Sequence, residues 1–166
     1  VYAFVLMPNH IHIIWQQNKL NGKETPQGSF LKYTAHEFLK KLKLSGQSKM
    51  YEVNAANKKH ELWHRDSLSI EIYSKAVAIQ KLKYIHFNPV SGKWQLSKDD
   101  LDYHFSSAKF YERGIDNFGF LTNLYTVFDG FNILVVLLCR IVSCATNQGG
   151  ELCATNQGND LRYNWN

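Results

Sequence analysis

Cysteine is scarce in this 166-residue chain: Cys139, Cys144 and Cys153 are the only three, and all lie toward the C-terminus. Thiols placed so build no disulfide framework and match no zinc-ligand spacing, which argues against a stapled secreted scaffold or a zinc module. A reducing intracellular setting is expected. Long apolar runs are missing as well. The longest, residues 131–142, falls short of the ~20 residues that a membrane-spanning helix needs and comes too late to be a signal peptide. A soluble protein without a membrane partner follows. Nor is there an acidic excess: 14 Asp and Glu stand against 19 Lys and Arg, a net charge of +5 with a pI near 9.1, which favours polyanionic partners. An initiator methionine is lacking too. The chain opens directly on strand-like Val1-Tyr2-Ala3-Phe4-Val5-Leu6, so a start further upstream, and hence a fragment, is expected.

What is present suits one well-buried domain: 45% hydrophobic and 14% aromatic residues, enough for a single α/β or α+β core and too little for two. The basic character is local. Between residues 31 and 65, Lys32, Lys40, Lys41, Lys43, Lys49, Lys58, Lys59 and Arg65 face only Glu37, Glu52 and Glu61, so this segment alone accounts for the net charge.

Residues 1–7 are β-branched and aromatic, Pro8-Asn9 breaks the run, and residues 10–16 resume it, which predicts a hairpin. Polar residues 18–28 read as an exposed loop. Ser29 then caps a helix to about Leu44 with Phe30, Tyr33, Phe38 and Leu42 as its apolar stripe and lysines outward. Those lysines are either a merely solvated face or a surface for a phosphate backbone. Residues 45–60 are ambiguous, and 61–72 supply a third strand. Ser74 caps a helix carrying Val77, Ile79, Leu82 and Ile85, which must stop near Phe87 because Pro89 drives Asn88 from the α region. The aromatic stretch 94–120 is expected to fold back over the core. The six residues Cys-Ala-Thr-Asn-Gln-Gly recur at 144–149 and 153–158, so residues 129–166 are set apart as a poorly ordered tail, leaving a domain over 1–128.

The residues that carry chemistry are few. His10 and His12 flank Ile11 on one strand, so their side chains share a face about 7 Å apart and can close on one metal ion, unless they are simply two polar positions on a half-solvated strand. Tyr84 and Asn88 are one helical turn apart, and the Asn88 amide sits at the helix C-terminus, where the dipole favours a cation. A His, His, amide metal site is therefore possible, with His86 pointing elsewhere. A tyrosine is a poor nucleophile at neutral pH, but a metal on a phosphodiester would polarise its target, and attack would leave a covalent phosphotyrosine. An ordinary core aromatic is the competing role for Tyr84.

The stretches Tyr-Ala-Phe-Val-Leu-Met-Pro-Asn-His-Ile-His-Ile-Ile-Trp at 2–15 and Leu-Lys-Tyr-Ile-His-Phe-Asn-Pro-Val at 82–90 resemble, in order and spacing, the two signature blocks of the REP-associated tyrosine transposases. These relatives of the insertion sequence 200 type belong to the single-tyrosine HUH nucleases, named for a His-hydrophobic-His motif. The resemblance covers roughly residues 1–125. It implies an α+β HUH or ferredoxin-like fold, an antiparallel sheet with helices packed on it, here lacking the strand and helix that precede the first block in the family. It further implies that His10 and His12 bind Mg²⁺ or Mn²⁺, that Asn88 is the third ligand and that Tyr84 forms a 5′-phosphotyrosine; ligand chemistry alone leaves zinc open. The expected activity is cleavage and rejoining of single-stranded DNA at hairpin-forming repeats by a monomer or homodimer, in the nucleoid-associated cytoplasm. Lys32, Lys40, Lys41, Lys43 and Arg65 are the expected DNA contacts. The alternative is an inactive, nucleic-acid-binding remnant of such a transposase.

Overall fold

The computed structural model describes residues 1–16, 22–64, 67–92, 94–127 and 134–142. Strands β1 (Ala3–Met7) and β2 (His10–Gln16) form the anticipated hairpin, in register from Met7 opposite His10 to Ala3 opposite Ile14. Helix α1 spans Pro26–Leu44, and a small hairpin pairs β3 (Glu52–Ala55) with β4 (Lys58–His60). Strand β5 (Leu68–Ile72) leads into helix α2 (Lys75–Phe87), after which come the short helix α3 (Ala108–Arg113) and strand β6 (Leu134–Arg140). The main sheet has the order β1-β2-β6-β5 and every neighbouring pair is antiparallel. This is the mixed α+β class with an antiparallel sheet that the sequence suggests.

Period-two alternation divides the sheet into two faces. Ala3, Val5, Met7 and Ile14 project from one of them into the main core, where they meet Ile72 of β5 and Ala78, Leu82 and Ile85 of α2. Each fully buried aliphatic side chain here contributes about 1.5–3 kcal/mol. Ile11, Trp15 and Cys139 project from the other face and pack with Trp63 and with Phe30, Leu31 and Ala35 of α1. The result is three layers, α1 and α2 lying on opposite sides of the sheet.

Local chemistry explains the helix ends. The Ser74 hydroxyl accepts from Val77 N and caps α2 as expected. α1 is capped four residues earlier than the expected Ser29: Thr25 Oγ1 accepts from Gly28 N at 3.1 Å, and Pro26 fills the first turn, where a missing N–H costs nothing. Its apolar stripe is rotated accordingly, with Phe30, Leu31 and Ala35 inward and Tyr33 68% exposed.

The third strand is confined to Leu68–Ile72, while residues 61–64 contribute only an isolated bridge from Trp63 to Ile141. The ambiguous residues 45–60 contain the β3–β4 hairpin. Residues 94–127 do fold back. Phe4 N donates to Ser107 Oγ at 3.0 Å, Leu6 N donates to Phe105 O at 2.9 Å, and the Tyr111 hydroxyl donates to Tyr2 O at 2.8 Å, so the outer edge of β1 is covered rather than left to pair with another chain.

The largest departure from the sequence reading is β6. Leu134–Arg140, set apart there as a poorly ordered tail, runs between β2 and β5 in the interior of the sheet, with Gln16 opposite Leu134, His10 opposite Arg140 and Leu68 opposite Leu138. A short, continuous aliphatic run is what a strand flanked on both edges requires, and repeat-rich neighbours hide that signal. The repeat itself lies outside the described residues. Among the described residues no helix is long and apolar enough to cross a membrane.

Candidate metal and tyrosine site

The β1–β2 turn delivers His10 and His12 to the α2 side of the sheet, their rings 5.1 Å apart and nearly perpendicular. Both are buried: 8% of His10 and 1% of His12 is exposed. Burial above all holds both imidazoles neutral, with His10 lowered to about 4 and His12 to about 3 once the neighbouring charges are included. Those charges are the Arg140 cation for His10, and His10 and then Arg140 for His12. Neutral imidazoles are metal-binding imidazoles.

The hydrogen bonding selects one nitrogen of His10. Its Nδ1 lies 2.6 Å from Asn9 Oδ1, an acceptor, so Nδ1 carries the proton and Nε2 presents a lone pair. The Nε2 atoms of His10 and His12 are both buried and meet no hydrogen-bond partner. Two buried nitrogens left without partners are costly unless something else binds them.

α2 brings the other two expected residues. The Tyr84 ring stands edge-on to His12 with centroids 5.5 Å apart. Asn88, 7% exposed, caps α2 and donates from Nδ2 to Tyr84 O at 2.9 Å, which commits the amide nitrogen and leaves Oδ1 as the donor atom for the site. The Asn88 side chain also acts on His10, favouring its protonated form, yet no donor–acceptor contact closes on His10 Nε2. Two imidazole nitrogens and an amide oxygen are a reasonable donor set for a divalent ion, and the unpartnered Nε2 atoms are the observation that makes them fit. Among the described residues no cluster of three His, Cys, Asp or Glu forms.

His86 points away, as expected. Its Nε2 lies 2.9 Å from Ser107 Oγ, its ring packs on Tyr111, and burial lowers it to about 4.

The structure does not bring the basic segment to this site. α1 occupies the opposite face of the sheet, where Lys32 lies 3.7 Å from Glu24, Lys40 pairs with Glu37 at 2.6 Å, and Lys41 and Lys43 fill the last turn. Arg65 lies outside the described residues. Beside α1 an open cleft of about 300 Å³ is lined by Lys32, Lys58, His60, Trp63 and His64 among others.

Four further residues escaped the sequence reading, three of them, Asn9, Trp94 and Arg140, beside the histidines. Asn9 fixes the His10 tautomer, and its place immediately before the histidine was the available signal. The Trp94 ring packs against His10 in a tilted arrangement, with centroids 5.9 Å apart. Lys81 precedes Tyr84 by one turn of α2, and partial burial lowers its pKa. Arg140 comes from β6, and nothing local in the sequence announces it.

No family model matches the chain, and neither a curated protein nor a solved structure gives a significant match. The functional reading therefore rests on the site itself and on the two sequence blocks.

Proposed function

We propose that the chain is a metal-dependent tyrosine nuclease and strand transferase acting on single-stranded DNA, of the kind seen in the REP-associated tyrosine transposases. The observation that carries this reading is the convergence of Tyr84 and Asn88 from α2 on His10 and His12 from β2, with both imidazole Nε2 atoms buried and unpartnered. A core built only for stability would satisfy those nitrogens or replace them.

His10, His12 and Asn88 would hold Mg²⁺ or Mn²⁺, which when bound supplies Lewis-acid polarisation of a phosphodiester. Asn9 and Asn88 orient the donors. The Tyr84 phenolic oxygen attacks phosphorus, the bond from phosphorus to the 3′ oxygen breaks, and the departing 3′ oxygen takes up a proton as the phenol loses one. A 5′-phosphotyrosine and a free 3′ hydroxyl result. Attack by a 3′ hydroxyl on that linkage restores a phosphodiester and the phenol, so rejoining needs no ATP. Hairpin-forming repeats are the proposed substrate.

The placement of the α1 lysines on the opposite face favours a second reading, a nucleic-acid-binding remnant without turnover, since those lysines bind a backbone equally well with the site silent. One experiment separates the two. Incubated with a labelled hairpin oligonucleotide and Mn²⁺, the wild-type chain should form a covalent adduct that Tyr84→Phe and excess chelator both abolish. Salt-sensitive binding with no adduct would establish the remnant.

A further inference from the structure

Arg140 ends β6 directly opposite His10 in the β2–β6 register, so its side chain leaves the sheet on the face that carries both histidines. It is only partly exposed, and its charge reaches His10 and His12 alike. The main chain is well held, its carbonyl accepting from His64 N at 2.8 Å. The guanidinium, by contrast, meets no carboxylate and no hydrogen-bond acceptor among the described residues. A partly buried arginine on the sheet face of His10 and His12, with no carboxylate partner among the described residues, is a positive site open to an anion, and its planar fork matches the oxygens of a phosphate. Adding a divalent cation on the imidazoles increases the need for an anion.

We propose that Arg140 is a phosphate-binding residue of this site, gripping a non-bridging oxygen of the phosphodiester beside the His10–His12 pair. This rests on the reading above only for the identity of the phosphate as DNA; the anion site itself follows from the placement of the arginine. It also gives β6 a part in substrate binding besides its part in the sheet.

The test uses inorganic phosphate and metal-free protein in chelator, followed by the imidazole proton resonances. Phosphate should shift the His10 and His12 signals of the wild-type chain. Arg140→Gln should bind phosphate roughly tenfold more weakly or worse, and Arg140→Lys should recover part of the loss, a point charge replacing a fork. In a separate Mn²⁺ titration without phosphate, Arg140→Gln should bind the ion roughly threefold tighter, because a like charge has been removed. A merely structural arginine would weaken both. Unchanged phosphate affinity in Arg140→Gln, or wild-type histidine signals that phosphate does not move, overturns the proposal, and the latter decides even if the variant fails to fold. A wild-type chain that binds phosphate through Arg140 but takes up no Mn²⁺ upholds the phosphate site and defeats the metal reading.

Discussion

Histidine is buried at three positions, His10, His12 and His86, and hydrogen bonding distinguishes their roles. His86 is satisfied: Ser107 Oγ meets its Nε2, and the same hydroxyl bonds both the N–H and the carbonyl of Phe4, so the pair ties α2 to β1. His10 and His12 keep a bare nitrogen each. This difference yields a prediction about acid. A buried histidine lowered to about 4 stays neutral in the folded chain while the unfolded chain protonates near the ordinary value of 6.5. Its contribution is therefore intact above pH 6.5 and is lost as pH falls from there toward 4, at a slope of about 1.4 kcal/mol per pH unit for each such residue. In denaturant titrations between pH 6 and 4.5, His86→Gln should flatten the slope by about that amount, whatever its stability at neutral pH. An unchanged slope would show that His86 titrates normally in the folded protein. At the level of single residues the grouping of His10, His12, Tyr84 and Asn88 was legible in the sequence, because strand alternation and the helical turn are local rules. Asn9 as a tautomer-fixing partner was half-visible. Arg140 was not, because only strand pairing across more than a hundred residues makes it a neighbour of His10.

Among the elements, β6 decides most. It is paired on both edges, and its Leu138 and Cys139 point to opposite faces, 7% and 0% exposed. Burial pushes the Cys139 thiol up to about 12, so it is a small apolar filler and no nucleophile. Leu138→Ala should cost about 2–4 kcal/mol in a urea titration, since its buried side chain stands on the sheet face that carries His12, its register partner, and truncation leaves a cavity there. A change within about 0.5 kcal/mol would mean that β6 is dispensable to the sheet. The sequence reading missed this strand for a physical reason. A continuous aliphatic run has no alternation to set its face, and the duplicated hexapeptide beside it suggests disorder. α2, in contrast, was readable in its cap and most of its buried face. Asn88, however, keeps α-helical angles (φ −51°, ψ −46°) and the chain continues through Pro89 in a 3-10 turn instead of leaving the α region there, and Val77 is exposed rather than on the apolar face. The cap at Ser74 and the buried Leu82 and Ile85 are short-range features, whereas the start of α1 moved because Thr25 outcompetes Ser29 as cap once Pro26 is in place.

The molecule as a whole separates its two resources. One face of the sheet holds the histidines, Tyr84, Asn88 and Arg140, and the other carries α1 with its lysines. On the proposed function, a DNA strand that used both would have to pass around an edge or end of the sheet, so binding strength and cleavage should respond to different substitutions. That division follows from the order β1-β2-β6-β5 and from a helix on each side, which local patterns in the sequence do not determine. The central claim is that two bare imidazoles and an amide form a metal site. Its most direct test is a Mn²⁺ titration followed by electron paramagnetic resonance, with DNA left out. The wild-type chain should take up Mn²⁺ stoichiometrically, Asn88→Ala should bind it more weakly, and the His10→Ala, His12→Ala double variant should leave the free-ion signal undiminished. Equal uptake by the double variant and the wild-type chain would contradict the account.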